Sequence, residues 1–113
     1  MPTMKNRSEA VKLLEILQDF RELDAEIQSQ CIAVFLTVVA RGGENVSMAE
    51  IQKDLDMPQS SVSRNVALLS KWSRHGQKGH DLLESHEDPK ERRRKLCRVT
   101  AKGKRFIERI FKK

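Results

Sequence analysis

The sequence predicts a mainly α-helical chain with one small β-hairpin, and three observations predict it. Apolar residues recur at helical spacing in several separate stretches, a capping signature opens one of them at Ser47, and two short strand-like runs late in the chain flank a turn containing a proline. At 113 residues the chain suits one domain, since a second core would be starved of apolar material. The expected division of 1–113 is N-terminal helices over 1–42, a central unit with the hairpin over 43–99, and a C-terminal helix over 100–113.

Ser8 is placed to cap a first helix running to about Phe20, whose wide apolar face holds Val11, Leu13, Leu14, Ile16, Leu17 and Phe20. A second helix runs from about Asp24 to Val39, with Ile27, Cys31, Val34, Phe35 and Val38 on one stripe. Gly42-Gly43 ends it, because glycine accepts the left-handed backbone common at helix C-termini. Ser47-Met48-Ala49-Glu50 reads as a capping box: the serine hydroxyl accepts from the Glu50 amide while the Glu50 carboxylate reaches back. The short helix it opens turns Ile51 and Leu55 inward and stops at Asp56-Met57-Pro58. Proline fits a first turn, so the next helix spans about Pro58 to Trp72 with Val62, Val66 and Leu69 inward. At roughly 100° per residue its opposite face carries Ser60, Arg64 and Lys71, flanked by Gln59, Ser61 and Ser63.

Beyond Ser73 the pattern changes. A strand is expected from Asp81 to Glu87, a turn at Asp88-Pro89-Lys90-Glu91, and a second strand from Lys95 to Val99. Thr100 then caps a last helix whose Phe106, Ile107, Ile110 and Phe111 form an apolar stripe. The whole reads as a winged helix-turn-helix with flanking N- and C-terminal helices: two short helices joined by a tight turn, then a hairpin with a cationic tip.

Charge is divided unevenly along the chain. Up to Met57 there are six Lys and Arg against ten Asp and Glu, and from Pro58 onward sixteen against six, giving −4 and +10. A polyanion should therefore land on the second half. Small hydroxyl or amide side chains early in a recognition helix approach phosphates and base edges closely, and an arginine forks onto guanine or phosphate. Gln59, Ser60, Ser61, Ser63 and Arg64 supply that set, with Lys71 behind them. Arg92, Arg93, Arg94 and Lys95 at the hairpin tip suit a minor groove, where arginine meets enhanced negative potential. Asp88 in the same turn is suited to orient Arg92 or a neighbouring arginine by an ion pair.

The stretch from about Gly43 to Gly103 resembles the DNA-binding domain of the MarR family of regulators. Val46 to Ile51 with Leu55, Pro58 to Arg64, and Asp88 to Leu96 running on to Val99-Thr100-Ala101-Lys102-Gly103 carry the resemblance. The last segment is the most specific, with its acidic-Pro start, paired arginines and closing Thr-x-x-Gly. The resemblance implies a homodimer on a palindromic or near-palindromic operator, usually a repressor, with Ser60, Ser61, Ser63 and Arg64 in the major groove. It places Arg92 and Arg93 as wing arginines and Asp88 as the acid that braces one. It also implies a dimer built from the terminal helices, here Leu13, Leu14, Leu17 and Phe20 with Phe106, Ile107, Ile110 and Phe111. Two features depart from that family: the join from Arg74 to Asp81 is longer and the C-terminal helix is shorter. Many relatives sense a small amphipathic effector, but aromatic residues are 4% of this chain and Tyr is absent, so no effector pocket is evident.

Other chemistries find less support. No phosphate-cradling glycine loop and no nucleophile with a base is visible, so no enzyme and no cofactor are expected. His75, His80, His86 and Cys97 lack the paired close spacing of a zinc site, and no metal is expected. Cys31 and Cys97 read as packed, reduced thiols. No apolar run is long enough to span a membrane and no secretory signal is seen, so a cytoplasmic location is expected. Two rivals share the fold: a winged-helix module docked on an acidic protein, and a non-specific architectural DNA binder.

Overall fold

A computed structural model describes residues 4–72 and 76–112. The elements in chain order are α1 (Arg7–Leu23), α2 (Ser29–Ala40), β1 (Val46–Ser47), α3 (Met48–Leu55), α4 (Gln59–Leu69), β2 (Leu83–Glu87), β3 (Lys95–Val99) and α5 (Ala101–Phe111). Helices α3 and α4 form the helix-turn-helix, and β2 with β3 form the hairpin, or wing. The architecture is the expected one, and the capping box, β3 and the Thr100 cap fall where the sequence puts them. The hydroxyl of Ser47 accepts from the Glu50 amide at 3.1 Å, while the Ser47 amide donates to the Glu50 carboxylate at 3.2 Å. Two donors that the helix leaves orphaned are thereby satisfied.

Five boundaries differ from expectation. Ser8 does not cap α1; Asn6, in the left-handed region, precedes the helix, and the Ser8 hydroxyl bonds Glu9. Helix α1 also runs past Phe20 to Leu23. There Asp24 turns extended, and its carboxylate accepts from the Glu26 amide at 2.9 Å in an Asx turn. Asp24 therefore belongs to the α1–α2 turn, and α2 begins at Ser29. Helix α4 stops at Leu69, so Lys71 and Trp72 lie beyond it. Its last carbonyls are taken by the returning chain, with the amides of His80 and Leu82 donating to Leu68 and Leu69. Finally, β2 begins at Leu83, and a third strand was not foreseen: β1 is two residues long, too short to show a period. The antiparallel sheet has the order β1-β3-β2, with Val46 opposite Cys97 and Leu83 opposite Val99.

The core lies between the sheet and the inner faces of all five helices. Phe20, Phe35 and Phe106 meet there with ring centroids 5.0–6.2 Å apart, joined by Val34, Val38, Ile51, Val62, Val66, Leu69 and Ile110. Edge-to-face packing of this kind adds about 0.5–1.5 kcal/mol per pair to plain burial. Helix α5 reaches this core through Gly103. A Cβ there would stand 2.4 Å from the carbonyl oxygen of Leu82 and 2.7 Å from a methyl of Val99, so only glycine lets the helix lie this close to the sheet. Both thiols are buried, and burial pushes the Cys31 and Cys97 pKa values up to about 11, which keeps them protonated and packed. Among the described residues no helix is long and apolar enough to cross a membrane.

Candidate nucleic-acid interface

The turn Asp56-Met57-Pro58 sets the angle between α3 and α4. Asp56 takes the left-handed conformation that asparagine and aspartate tolerate, and the Met57 amide donates to the Gln52 carbonyl at 3.1 Å. With its inner face committed to Val62, Val66 and Leu69, α4 presents its polar face outward. Gln59, Ser60 and Arg64 are exposed, and Ser61 and Ser63 are half-buried. The predicted set divides around the helix. Gln59 and Ser63 face the wing, Ser60 points outward, and Arg64 borders a cleft on the other flank with Asp24 and His80. Lys71 is exposed beyond the end of the helix rather than on it.

The wing tip is closed by its own backbone. The Asp88 amide donates to the Arg94 carbonyl at 2.8 Å, and the Arg94 amide to the Glu91 carbonyl at 2.9 Å. The Asp88 carboxylate accepts from the Lys90 amide at 2.9 Å. Arg92 and Arg93 sit at the head of this loop, exposed, and form no ion pair among the described residues. Asp88 meets Arg94 at 4.0 Å, so the arginine it contacts is Arg94 and not Arg92.

Helix α4 and the wing converge on one groove of about 290 Å³, which brings Gln59 and Ser63 together with Arg93, Arg94 and Lys95. Residues some thirty apart in sequence thus share one concave, cationic surface. Ala49 and Gln52 of α3 line the same groove and were missed in sequence. Their signal was positional: they lie on the outer side of the short helix that Ser47 opens.

A chain of charges fixes the groove's geometry. Arg41, at the end of α2, forks onto Asp54 at 2.6 and 2.8 Å and reaches Glu50 at 2.6 Å; Glu50 in turn meets Arg94 at 3.6 Å. The Ser47 backbone amide, with help from its hydroxyl and from Arg41 and Arg94, holds the Glu50 carboxyl below its usual range. The Arg41 hydrogen bond does the same for Asp54, and the two acids raise the Arg41 pKa. Because these groups are solvent-exposed, their contribution is to geometry more than to stability.

The terminal helices are only partly available as a partner-binding face. Phe20, Phe106 and Ile110 are buried in the chain's own core, contrary to their expected place at a dimer contact. An apolar stripe tells that a face is covered but not by what. Leu13, Leu14, Leu17 and Phe111 remain exposed, and Ile107 is half-buried. Among the described residues no three His, Cys, Asp or Glu side chains gather as a metal-holding group; of the histidines considered for zinc, His75 lies outside the described residues.

The family described as winged helix DNA-binding domain matches residues 29–103. No curated protein sequence matches the chain. Among solved structures, a mutant of S. aureus MepR bound to an oligodeoxyribonucleotide is similar at 18% identity and a TM-score of 0.71, covering 92% of this chain and 68% of its own. A MarR-family transcriptional regulator from Rhodococcus sp. RHA1 follows at 17% and 0.63, covering 93% and 66%. The PcaV transcriptional regulator from Streptomyces coelicolor stands at 22% and 0.60, covering 96% and 73%. The chain thus spans about two thirds to three quarters of the length of these regulators and shares their fold.

Proposed function

This chain belongs to the winged helix DNA-binding domain family, and from that premise we propose that it is a sequence-specific regulator of transcription, acting as a homodimeric repressor on a near-palindromic operator. The observation that carries the proposal is the single groove shared by Gln59 and Ser63 of α4 with Arg93, Arg94 and Lys95 of the wing. Helix α4 enters the major groove, where Ser60, Ser61, Ser63 and Arg64 meet base edges and phosphates. Arg92 and Arg93 reach the adjacent minor groove, Lys71 and Lys95 neutralise phosphates, and Asp88 and Glu50 hold Arg94 between the two. The +10 charge of the chain from Pro58 onward supports the same reading.

A second copy is the natural cover for the apolar residues that the fold leaves out. Val11, Leu13, Leu14 and Leu17 are exposed on α1, whose stretch from Arg7 to Glu15 is solvent-exposed throughout, and Phe111 is exposed on α5. Selection of bound genomic fragments followed by titration on selected and scrambled duplexes tests the reading. Tight binding that prefers the selected duplex and falls steeply with salt is expected. Equal affinity for both duplexes would leave an architectural binder, and no affinity for either would leave a protein-docking module.

A further inference from the structure

The join between α4 and β2 has the length of a free loop, but both of its ends are tied to the helix. Successive amides of Gly79, His80, Asp81 and Leu82 donate to carbonyls of Lys71, Leu68, Ser70 and Leu69 at 2.9, 3.0, 3.4 and 2.7 Å. Trp72 and Lys78 face one another as an antiparallel pair. Gly79 permits this closure, since a Cβ there would stand 1.9 Å from the Ser70 carbonyl oxygen. Trp72 is thereby fixed just beyond α4 with 60% of its surface exposed. A large indole left this exposed marks a contact surface, because among the described residues no packing covers it.

Trp72 forms one wall of a cleft of about 410 Å³ that takes in Ser63, Lys71, Ser85 and Lys95. Ser63 and Lys95 also line the groove between α4 and the wing, so the two clefts adjoin at these side chains. Exposed Lys71 and Lys95 line this cleft with Trp72, and exposed Lys78 stands opposite Trp72 in the antiparallel pair. The acid among the lining residues, Glu84, is engaged by Arg98 across the strand pair. We propose that Trp72, Lys71 and Lys78 form a third DNA-contacting element, which docks on the sugar-phosphate backbone flanking the sequence read by α4. The indole packs on deoxyribose with its Nε1–H donating to a phosphate, and the two lysines sit on neighbouring phosphates. This rests on the DNA-reading function proposed above and extends its footprint. An acidic protein surface is the competing partner; the sharing of Ser63 and Lys95 with the groove between α4 and the wing favours DNA.

The test uses the full chain on a selected duplex with long flanks and on the same duplex trimmed to the half-sites. On the long duplex Trp72→Ala should weaken binding about fivefold and erase backbone protection in the flank, and Trp72→Phe should restore most of both. Lys78→Ala should lower the slope of log affinity against log salt by about 0.9, one phosphate contact. On the trimmed duplex wild type and Trp72→Ala should bind alike. Unchanged affinity, slope and protection in both alanine variants, while Arg93→Ala still weakens binding, would overturn the third element and leave the operator-reading function standing. Unchanged binding in Arg93→Ala as well would overturn both.

Discussion

Glu50 of α3 and Arg94 of the wing meet at 3.6 Å, and the same carboxylate closes the capping box that begins α3. One side chain therefore starts the first helix of the helix-turn-helix, joins it through Arg41 to the end of α2, and meets the wing at Arg94. Glu50→Gln separates these roles. The amide oxygen still accepts from the Ser47 amide, so the helix start survives, but the charge shared by Arg41 and Arg94 is lost. Since exposed pairs contribute little stability, the thermal midpoint should fall by less than about 4 °C. DNA affinity should fall about threefold because Arg94 no longer holds the wing against α3. Thermal melting and duplex titration of one preparation check both halves.

The same carboxylate carries a pH dependence. Glu50 is held low chiefly by the Ser47 amide, and Asp54 by Arg41, so both acids bind protons less readily in the folded chain than in the unfolded one. Their contribution is complete above the ordinary carboxylate value of about 4 and is lost as pH falls through the lowered folded values. The difference in midpoint between wild type and Glu50→Gln should be constant from about pH 8 to pH 5 and shrink below about pH 4. A difference that persists undiminished at pH 2.5 would show that it does not arise from the charge.

Which parts of this were legible in sequence follows from how local each signal is. The Ser47–Glu50 box and the Thr100 cap are contacts over three residues, and both are present as read. Lys95–Val99 was legible because a turn and a periodic run bound it. Helix α4 was overextended because what ends it is not in its own sequence: the amides of His80 and Leu82 arrive from the far end of the join. The Arg41–Asp54 fork and the partners of Phe20 and Phe106 were invisible for the same reason, since each joins separate elements. The outer face of α4 is legible at Gln59, Ser60 and Arg64, which are exposed, whereas the half-burial of Ser61 and Ser63 and the division between the wing side and the Arg64 side need the crossing of α4 with the wing and the α1–α2 turn.

Gly103→Ala sets two effects against each other. Helix propensity alone favours alanine by about 1 kcal/mol. The added methyl, however, would lie 2.4 Å from the Leu82 carbonyl oxygen, which is backbone and already accepts from the Thr100 amide at 3.1 Å. Neither partner gives way without moving α5 off the sheet. The clash should win, with a net loss of about 1–3 kcal/mol measured by denaturant unfolding.

Arg64 and Arg93 should separate base reading from positioning. Arg64→Ala should relax sequence preference, costing about 1–3 kcal/mol at the base pair it meets while sparing scrambled duplex. Arg93→Ala should weaken selected and scrambled duplex more nearly alike, because the wing meets backbone and groove width. Titration of both variants on both duplexes decides; equal affinity of all forms for all duplexes would contradict the assignment.

The exposed and the buried apolar residues of the terminal helices should respond in opposite ways. Leu14 is 58% exposed on a stretch of α1 that no other described residue buries, so a charge there leaves the described packing undisturbed. Leu14→Glu should leave the thermal midpoint of the isolated chain nearly unchanged while shifting its mass in solution from two copies to one. Affinity for a two-half-site duplex should then fall sharply on dilution, and affinity for a single half-site should not. Phe106→Ala acts elsewhere: its ring packs 5.0 Å from that of Phe20, and its loss should cost about 3–5 kcal/mol of folding stability. Sedimentation of both variants beside their unfolding curves separates the cases. A Leu14→Glu chain that stays paired would place the contact between copies somewhere other than α1.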